Sequence, residues 1–265
     1  MSFRRIAPTI AVFSVGLSAV VQAQTFPSEY PSQEDYKLRA EYREFRPELD
    51  GEVQKSSGGL EGTLLDLQRD LGLGVENERT FEVRATIQFK RGHKIRGSYT
   101  PLDYEGDVLA RQEFNYGNTT FRRLDRIVSS LKGGYYSGSY EWDLFKGPRG
   151  YLGALIGVKV FDLDAVVLSP DQGQRETDTL RAPIPVLGAV GRVYAGRVSL
   201  EGEFSGLSIG SKGSLYEFET SARVHLSDRL AIQGGYRKLS VNAKDGDDEG
   251  NIKLGGWQFG LEISL

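Results

Sequence analysis

IKLGGWQFGLEISL, residues 252–265, alternates with a period of two. Trp257, Phe259, Leu261, Ile263 and Leu265 fall on one face, and Gln258, Gly260, Glu262 and Ser264 on the other. A helix would scatter these apolar residues around its axis, whereas an extended strand lines them up on one side. An apolar, partly aromatic face backed by a polar one marks a strand standing between lipid and water. The other end of the chain agrees. Arg4 and Arg5 precede an apolar run from Ile6 to Val21, and Val21-x-Ala23 supplies a cleavage site, so residues 1–23 read as a cleaved signal peptide. The expectation is an exported chain whose mature part, residues 24–265, inserts as β-structure.

Composition narrows the classes. There is no cysteine, which excludes a disulfide framework, thiolate metal sites and lipid attachment at the cleavage site. The chain holds 33 Lys and Arg against 36 Asp and Glu, and the leader takes two cations with it. No basic excess remains to suggest a nucleic-acid partner. The leader is the one stretch that resembles a spanning helix, and its flanks mark it as a signal instead. Mean hydropathy is negative, but a barrel that faces lipid with one residue in two need not be hydrophobic on average.

Extending the period of two gives about ten segments, near 36–45, 80–90, 93–106, 125–145, 151–167, 185–195, 197–209, 214–227, 229–242 and 252–265. Very short connections (91–93, 146–150, 195–197, 227–229) alternate with mostly longer polar ones. The fold class that follows is all-β: a transmembrane antiparallel up-and-down β-barrel of about ten strands, with short periplasmic turns and longer extracellular loops. Eight and twelve strands are the alternatives, because segments 58–73 and 108–123 can change the count. An even number leaves both chain ends in the periplasm. The faces are consistent along most segments: Phe81, Val83, Ala85, Ile87 and Phe89 oppose Glu82, Arg84, Thr86, Gln88 and Lys90. Tyr36, Tyr42, Tyr99, Tyr140, Trp142, Tyr194, Tyr236 and Trp257 are candidates for aromatic girdles at headgroup level. A soluble sandwich or lipocalin-like barrel also alternates, but its loop lengths need not.

Two stretches break the pattern. Within residues 58–74, Leu60, Leu64, Leu67 and Leu71 recur every three or four residues and end at glycine, which predicts a short amphipathic helix and a candidate lid. Rim packing is its competing role. In EFNYGNTTF, residues 113–121, Gly117-Asn118 predicts a hairpin projecting beyond the membrane. Pro101 cannot donate to a ladder and marks a bulge or the membrane boundary.

With these features in hand, residues 24–265 resemble the small outer-membrane β-barrel proteins of Gram-negative bacteria. GTLLDLQRDLGL and APIPVLGAVGRVY look like segments of an uncharacterised porin-like group in that class, similar to the outer-membrane protein W family. The resemblance implies a cell outer-membrane location, contact with outer-membrane lipids and lipopolysaccharide, and periplasmic chaperones during export. It also implies insertion by the barrel-assembly machinery through a terminal signal, here Trp257, Phe259, Leu261, Ile263 and Leu265. The class usually ends in an aromatic residue, and this chain ends in Leu265.

Enzymes of similar barrels, the omptin proteases among them, resemble one another in using a histidine near the lipid or the outer surface. This chain has His93 and His225 alone, both at predicted periplasmic turns, so no nucleophilic triad assembles at the outer rim. No catalytic residue, metal ligand or cofactor is assigned. The polar faces place Arg39, Arg43, Arg84, Arg96, Arg192, Arg223 and Arg237 in one lumen with Glu201, Glu203, Glu217 and Glu219, and Lys37 shares that assignment. Charges of both signs in a narrow lumen form a salt-bridge core that largely fills it. Arg122, Arg123 and Arg126 stand near the outer rim as a candidate lipopolysaccharide contact. The acidic loop 244–250 lacks the spacing of a calcium loop. The expected function is a non-enzymatic barrel, structural or a narrow channel for small solutes or ions. The alternatives are lateral transport or binding of an apolar or amphipathic ligand gated by residues 58–74 and, third, a surface hydrolase using the carboxylates.

Overall fold

The computed structural model describes residues 32–57, 59–74 and 79–265; the signal peptide assigned to residues 1–23 lies outside them. Thirteen strands follow in order: β1 (Leu38–Gln54), β2 (Leu65–Asp66), β3 (Thr80–Lys90), β4 (His93–Leu109), β5 (Phe114–Tyr116), β6 (Thr119–Phe121), β7 (Arg126–Gly147), β8 (Gly150–Ser169), β9 (Gln174–Ala195), β10 (Val198–Ser208), β11 (Gly213–His225), β12 (Leu230–Asp245) and β13 (Asp248–Ser264). All but β2, β5 and β6 form one antiparallel sheet in sequence order, and β13 returns to pair with β1. That seam runs unbroken from Arg39–Ser264 to Gln54–Glu249. Below it, Leu265 N donates to Leu38 O at 2.7 Å. Closure leaves no strand edge to satisfy in lipid. The four tight connections after β3, β7, β9 and β11 lie at the end where the barrel seam starts, the periplasmic end.

Each long strand changes character part-way along. In β1 the inward residues begin as Arg39, Glu41 and Arg43 and continue as Phe45 and Leu49, all buried. The outward ones begin as Leu38, Ala40 and Tyr42 and continue as Glu44, Arg46, Glu48, Asp50 and Glu52. β12 and β13 do the same, with outward Ile232 and Tyr236 giving way to Lys238, and inward Glu262 and Gln258 to Leu254. Below the change, apolar side chains face hydrocarbon and charges fill the lumen. Above it, charges face water and apolar side chains fill the lumen, as in a water-soluble protein.

Rings mark the boundary. Tyr42–Phe81, Tyr99–Tyr136, Phe204–Tyr216 and Tyr236–Trp257 pair across strands with centroids 4.8–6.2 Å apart. A lower set, Phe89, Tyr140 and Trp142, gathers around His93. From Trp257 to Leu265 the lipid face spans about 20 Å once strand tilt is included. Tyr36 and Tyr194 are not girdle residues. Both are buried inside, because Tyr194 shares the parity of Arg192, while Tyr36 lies under the Arg39 guanidinium, 3.9 Å from its ring centroid. The band makes a clear prediction. Leu261→Arg is expected to lower folding stability by about 2–4 kcal/mol, and Ser240→Arg, on the same outer surface above the girdle, by less than about 0.5 kcal/mol. Urea-dependent folding of residues 24–265 into lipid vesicles, followed by tryptophan fluorescence, measures both.

The two irregular stretches are built into the upper half. Residues 59–74 do not form the expected helix. Leu65 and Asp66 pair with β1, and the Asp66 carboxylate accepts from Gln68 N and Arg69 N at 3.1 and 2.7 Å. One turn follows, ended by Gly72 and Gly74 at φ of 72° and 76°. Leu60 and Leu64 are exposed; Leu67 and Leu71, one turn apart, are buried. The 113–121 hairpin has the expected two-residue turn but folds inward rather than projecting, burying Phe114, Tyr116 and Phe121.

The wall above the girdle is uneven. β3 starts at Thr80 on the boundary, and the turn of residues 65–74 occupies the space above it, between Leu49 and Gly51 of β1 and Gly106 of β4. Pro101 sits where pairing of β4 with β3 has ended at Tyr99, so its missing N–H costs no bond there, and it lies at the boundary without a bulge. β10 and β11 also stop near the boundary, joined by a single 3₁₀ turn, Gly210–Lys212. β9 instead continues along β8 as far as Gln174, well beyond its last pair with β10, Leu187–Gly206.

Candidate functional site

The lower lumen holds a continuous ion network. Alternation puts every second residue of each strand inside, and each long strand contributes at least one charged residue there. Arg43 donates to Glu82 Oε1 at 2.7 Å and also pairs with Glu219. Arg84 reaches the same two carboxylates at 2.9 and 2.7 Å. Arg223 contacts Glu262 at 2.7 Å, Glu201 at 3.3 Å and Glu41 at 3.4 Å. Arg192 joins Glu201 and Glu262 at 2.7 and 3.1 Å, and Arg237 pairs with Glu82 and Glu217. Toward the periplasm, Glu34 closes the floor, with Arg39, Arg192 and Lys94 within 3.3–3.6 Å and the Tyr194 hydroxyl bonded to it. Arg96 links Glu141 to Glu203.

Eleven of the twelve charged residues placed in the lumen by alternation are there. Lys37, the twelfth, is exposed and precedes β1. Glu82 and Glu262, read from sequence as polar-face residues, join the network, and the members not named from sequence are Glu34, Glu41, Lys94, Glu141, Asp143 and Lys159. Most carry a parity signal, since Glu41 stands between Arg39 and Arg43 at the same spacing, and Lys94 two before Arg96. Glu34 has none, because it enters from the turn Ser32–Glu34 that precedes the barrel.

Chemically, this network holds its carboxylates as acceptors for cations. Glu201, Glu203, Glu217 and Glu219 each meet at least one guanidinium, and Glu217 is also bonded by Lys159 and the Tyr135 hydroxyl. On the outer side of Glu217, Arg237 and Gln258 along their strands stand Leu215, Leu239 and Leu254, buried in the apolar cluster. His225 Nε2 bonds Ser199 at 2.9 Å and His93 Nδ1 the Tyr140 hydroxyl at 2.6 Å, both at the periplasmic end. Arg122 and Arg123 are exposed on an outer loop, and Arg126, at the top of β7, pairs with Asp107. These guanidinium groups stand well above the girdle.

Above the network, the apolar core leaves a chamber of about 380 Å³ near the mouth. Leu131, Leu163, Leu180 and Ile252 line it with Tyr116 of the hairpin, and charged residues ring it.

No family model matches the chain, and no curated protein matches it. Among solved structures it is similar to the outer membrane protease OmpT from Escherichia coli, at 11% identity over 86% of this chain and 97% of that one, with a TM-score of 0.59. The fold is that of an outer-membrane β-barrel. The attachment invasion locus protein Ail of Yersinia pestis (12% identity, 87% of this chain and 99% of that one, TM-score 0.35) and Neisserial surface protein A (9% identity, 86% and 97%, TM-score 0.37) align less closely. At this identity the likeness to OmpT concerns architecture alone.

Proposed function

We propose that this protein is a non-enzymatic outer-membrane barrel, closed to ions and solutes, whose ion-paired lower lumen makes it a rigid support for a surface-exposed upper half. The observation that carries this reading is the wall-to-wall pairing of Arg43, Arg84, Arg192, Arg223 and Arg237 with buried carboxylates. A ten-stranded barrel leaves little interior beyond its side chains, and here the apolar core stacks above the network as a second stopper. Catalysis is disfavoured because no histidine lies in the upper half and the lumen carboxylates are engaged by cations. A cleaved leader, lipopolysaccharide contact, and handling by chaperones and the assembly machinery belong to the same proposal.

The test is single-channel recording of the refolded mature chain in a planar bilayer. We expect silence from the parent and small, discrete conductance after Arg192→Ala with Arg223→Ala. Steady conductance in the folded parent would overturn the closed reading.

A second reading, ligand passage as in the outer-membrane protein W-like group, draws support from the apolar upper lumen. The turn at residues 65–74 fills the gap above β3 as part of the wall, which argues against its acting as a free lid.

A further inference from the structure

Two of the tight periplasmic turns are neighbours and share one pattern. β4 pairs with β7 from His93–Trp142 upward, so the turns after β3 and after β7 stand side by side, and Lys146 Nζ donates to Arg91 O between them at 3.1 Å. Both strands are irregular just before they turn. The register shifts between Gln88 and Lys90 in β3, and between Asp143 and Phe145 in β7, and each shift adds one residue to its strand. The outcome is an exposed phenylalanine directly before a lysine, Phe89-Lys90 and Phe145-Lys146, with Leu144 exposed as well.

Both turns are basic. FKRGH, residues 89–93, carries Lys90 and Arg91, and FKGPRG, residues 145–150, carries Lys146 and Arg149. Lys90, Arg91 and Arg149 are exposed and Lys146 is half-buried. Neither stretch contains a carboxylate. Asp143, the one closest in sequence, is buried against Lys94 at 3.2 Å, and Asp35, which enters beside the end of β3, is matched by Lys37 two residues on. The cations of the two turns are therefore in excess. The other tight turns are weaker, since residues 195–198 carry Arg197 alone and residues 226–230 set Arg229 against Asp228. Phe89, Tyr140 and Trp142 form the lower ring set around His93, and cations just beneath such rings stand at the level of lipid phosphates.

We infer that these paired turns bind an anionic glycerophospholipid of the periplasmic leaflet, its phosphodiester held by Lys90, Arg91 and Arg149 and its acyl chains lying on Phe89, Leu144 and Phe145. Guanidinium and ammonium groups together suit a phosphodiester. A zwitterionic lipid would bring its own ammonium against the same cations and is disfavoured. The exposed phenylalanines select lipid over a water-borne polyanion, which has no apolar part to lay on them. The site lies outside the lumen, so the conductance of the barrel does not bear on it.

The chain contains two tryptophans, and they make the test local. Trp142 stands in this sector, its ring centroid 6.1 Å from that of His93, and Trp257 stands in the upper girdle beside Tyr236. The mature chain, with Trp257→Phe or Trp142→Phe to leave one reporter, is refolded into phosphatidylcholine vesicles holding a minority of phosphatidylglycerol. Either that phosphatidylglycerol or an equal share of the phosphatidylcholine carries brominated acyl chains, which quench fluorescence on contact. We expect the anionic lipid to be enriched about threefold or more beside Trp142 and neither lipid to be preferred beside Trp257. Lys90→Gln, Arg91→Gln and Arg149→Gln together should abolish the preference at Trp142, with heat-modifiable gel migration verifying that the variant is folded. Equal quenching of Trp142 by the two lipids, the same preference at Trp257, or a preference that survives the triple substitution would overturn the proposal.

Discussion

Arg43→Met is expected to cost about 3–5 kcal/mol of folding stability. Arg43 is fully buried and bridges Glu82 and Glu219. Methionine fills much of its volume, so lost packing is a minor part of the effect. The larger part is the charge left behind. Glu219 then depends on Arg84 alone, inside a lumen where a carboxylate short of partners is poorly solvated. Adding Glu219→Gln should recover one to two of those kcal/mol, roughly, because it removes the uncompensated charge. Equilibrium unfolding of the two single variants and the double in the same vesicles measures the coupling. A double variant as unstable as the sum of the singles would mean that the two side chains act independently.

Gly106→Val should unseat the turn of residues 65–74. A Cβ at Gly106 would lie 2.2 Å from Leu71 O and 2.7 Å from Gly72 C, both main-chain atoms that cannot rotate away. Either the turn or β4 must move, and the turn has less to lose: two pairs with β1, the bond from Leu67 N to Gly51 O and its leucine contacts. β4 pairs with β7 along its whole length. Since the chain lacks cysteine, Leu71→Cys is a clean reporter. Its labelling by a water-soluble maleimide should be slow in the parent background and about tenfold faster or more with Gly106→Val. Equal rates would show that the turn is held by something other than its fit against Gly106.

The lipid-spanning half of the fold was legible in the sequence, because there a single rule operates: apolar out, charged in. That rule located Arg39, Arg84, Glu201, Glu219 and Arg237 from parity alone. It failed where the surroundings change from hydrocarbon to water. β1 was expected to end at residue 45 and continues to Gln54, because FRPELDGEVQ keeps its alternation with the faces exchanged. β9 was expected to begin at residue 185 and begins at Gln174. Pro183 and Pro185 fall where β9 is paired with β8 and no longer with β10, an edge that tolerates proline. The leucines of residues 58–74 were legible as buried in part, since Leu67 and Leu71 do share a face. Their role as masonry above a short strand depends on the length of β3, which no local pattern carries. The chamber was invisible for the same reason: its lining comes from six barrel strands, a turn and a hairpin that meet through closure alone.

The exchange of faces at the aromatic girdle also divides the cylinder calorimetrically. Below it, the outer apolar surface rests in hydrocarbon and the interior is ionic, so little oily surface is withdrawn from water there. Above it, Phe45, Leu49, Tyr104, Phe121, Ile127 and Leu163 form a core shielded from water on every side, and such a core carries the large heat-capacity change of a soluble domain. The surface-exposed half should therefore loosen on cooling or under pressure while the lipid-embedded half stays intact. One continuous set of strands thus contains a soluble protein's thermodynamics stacked on a membrane protein's.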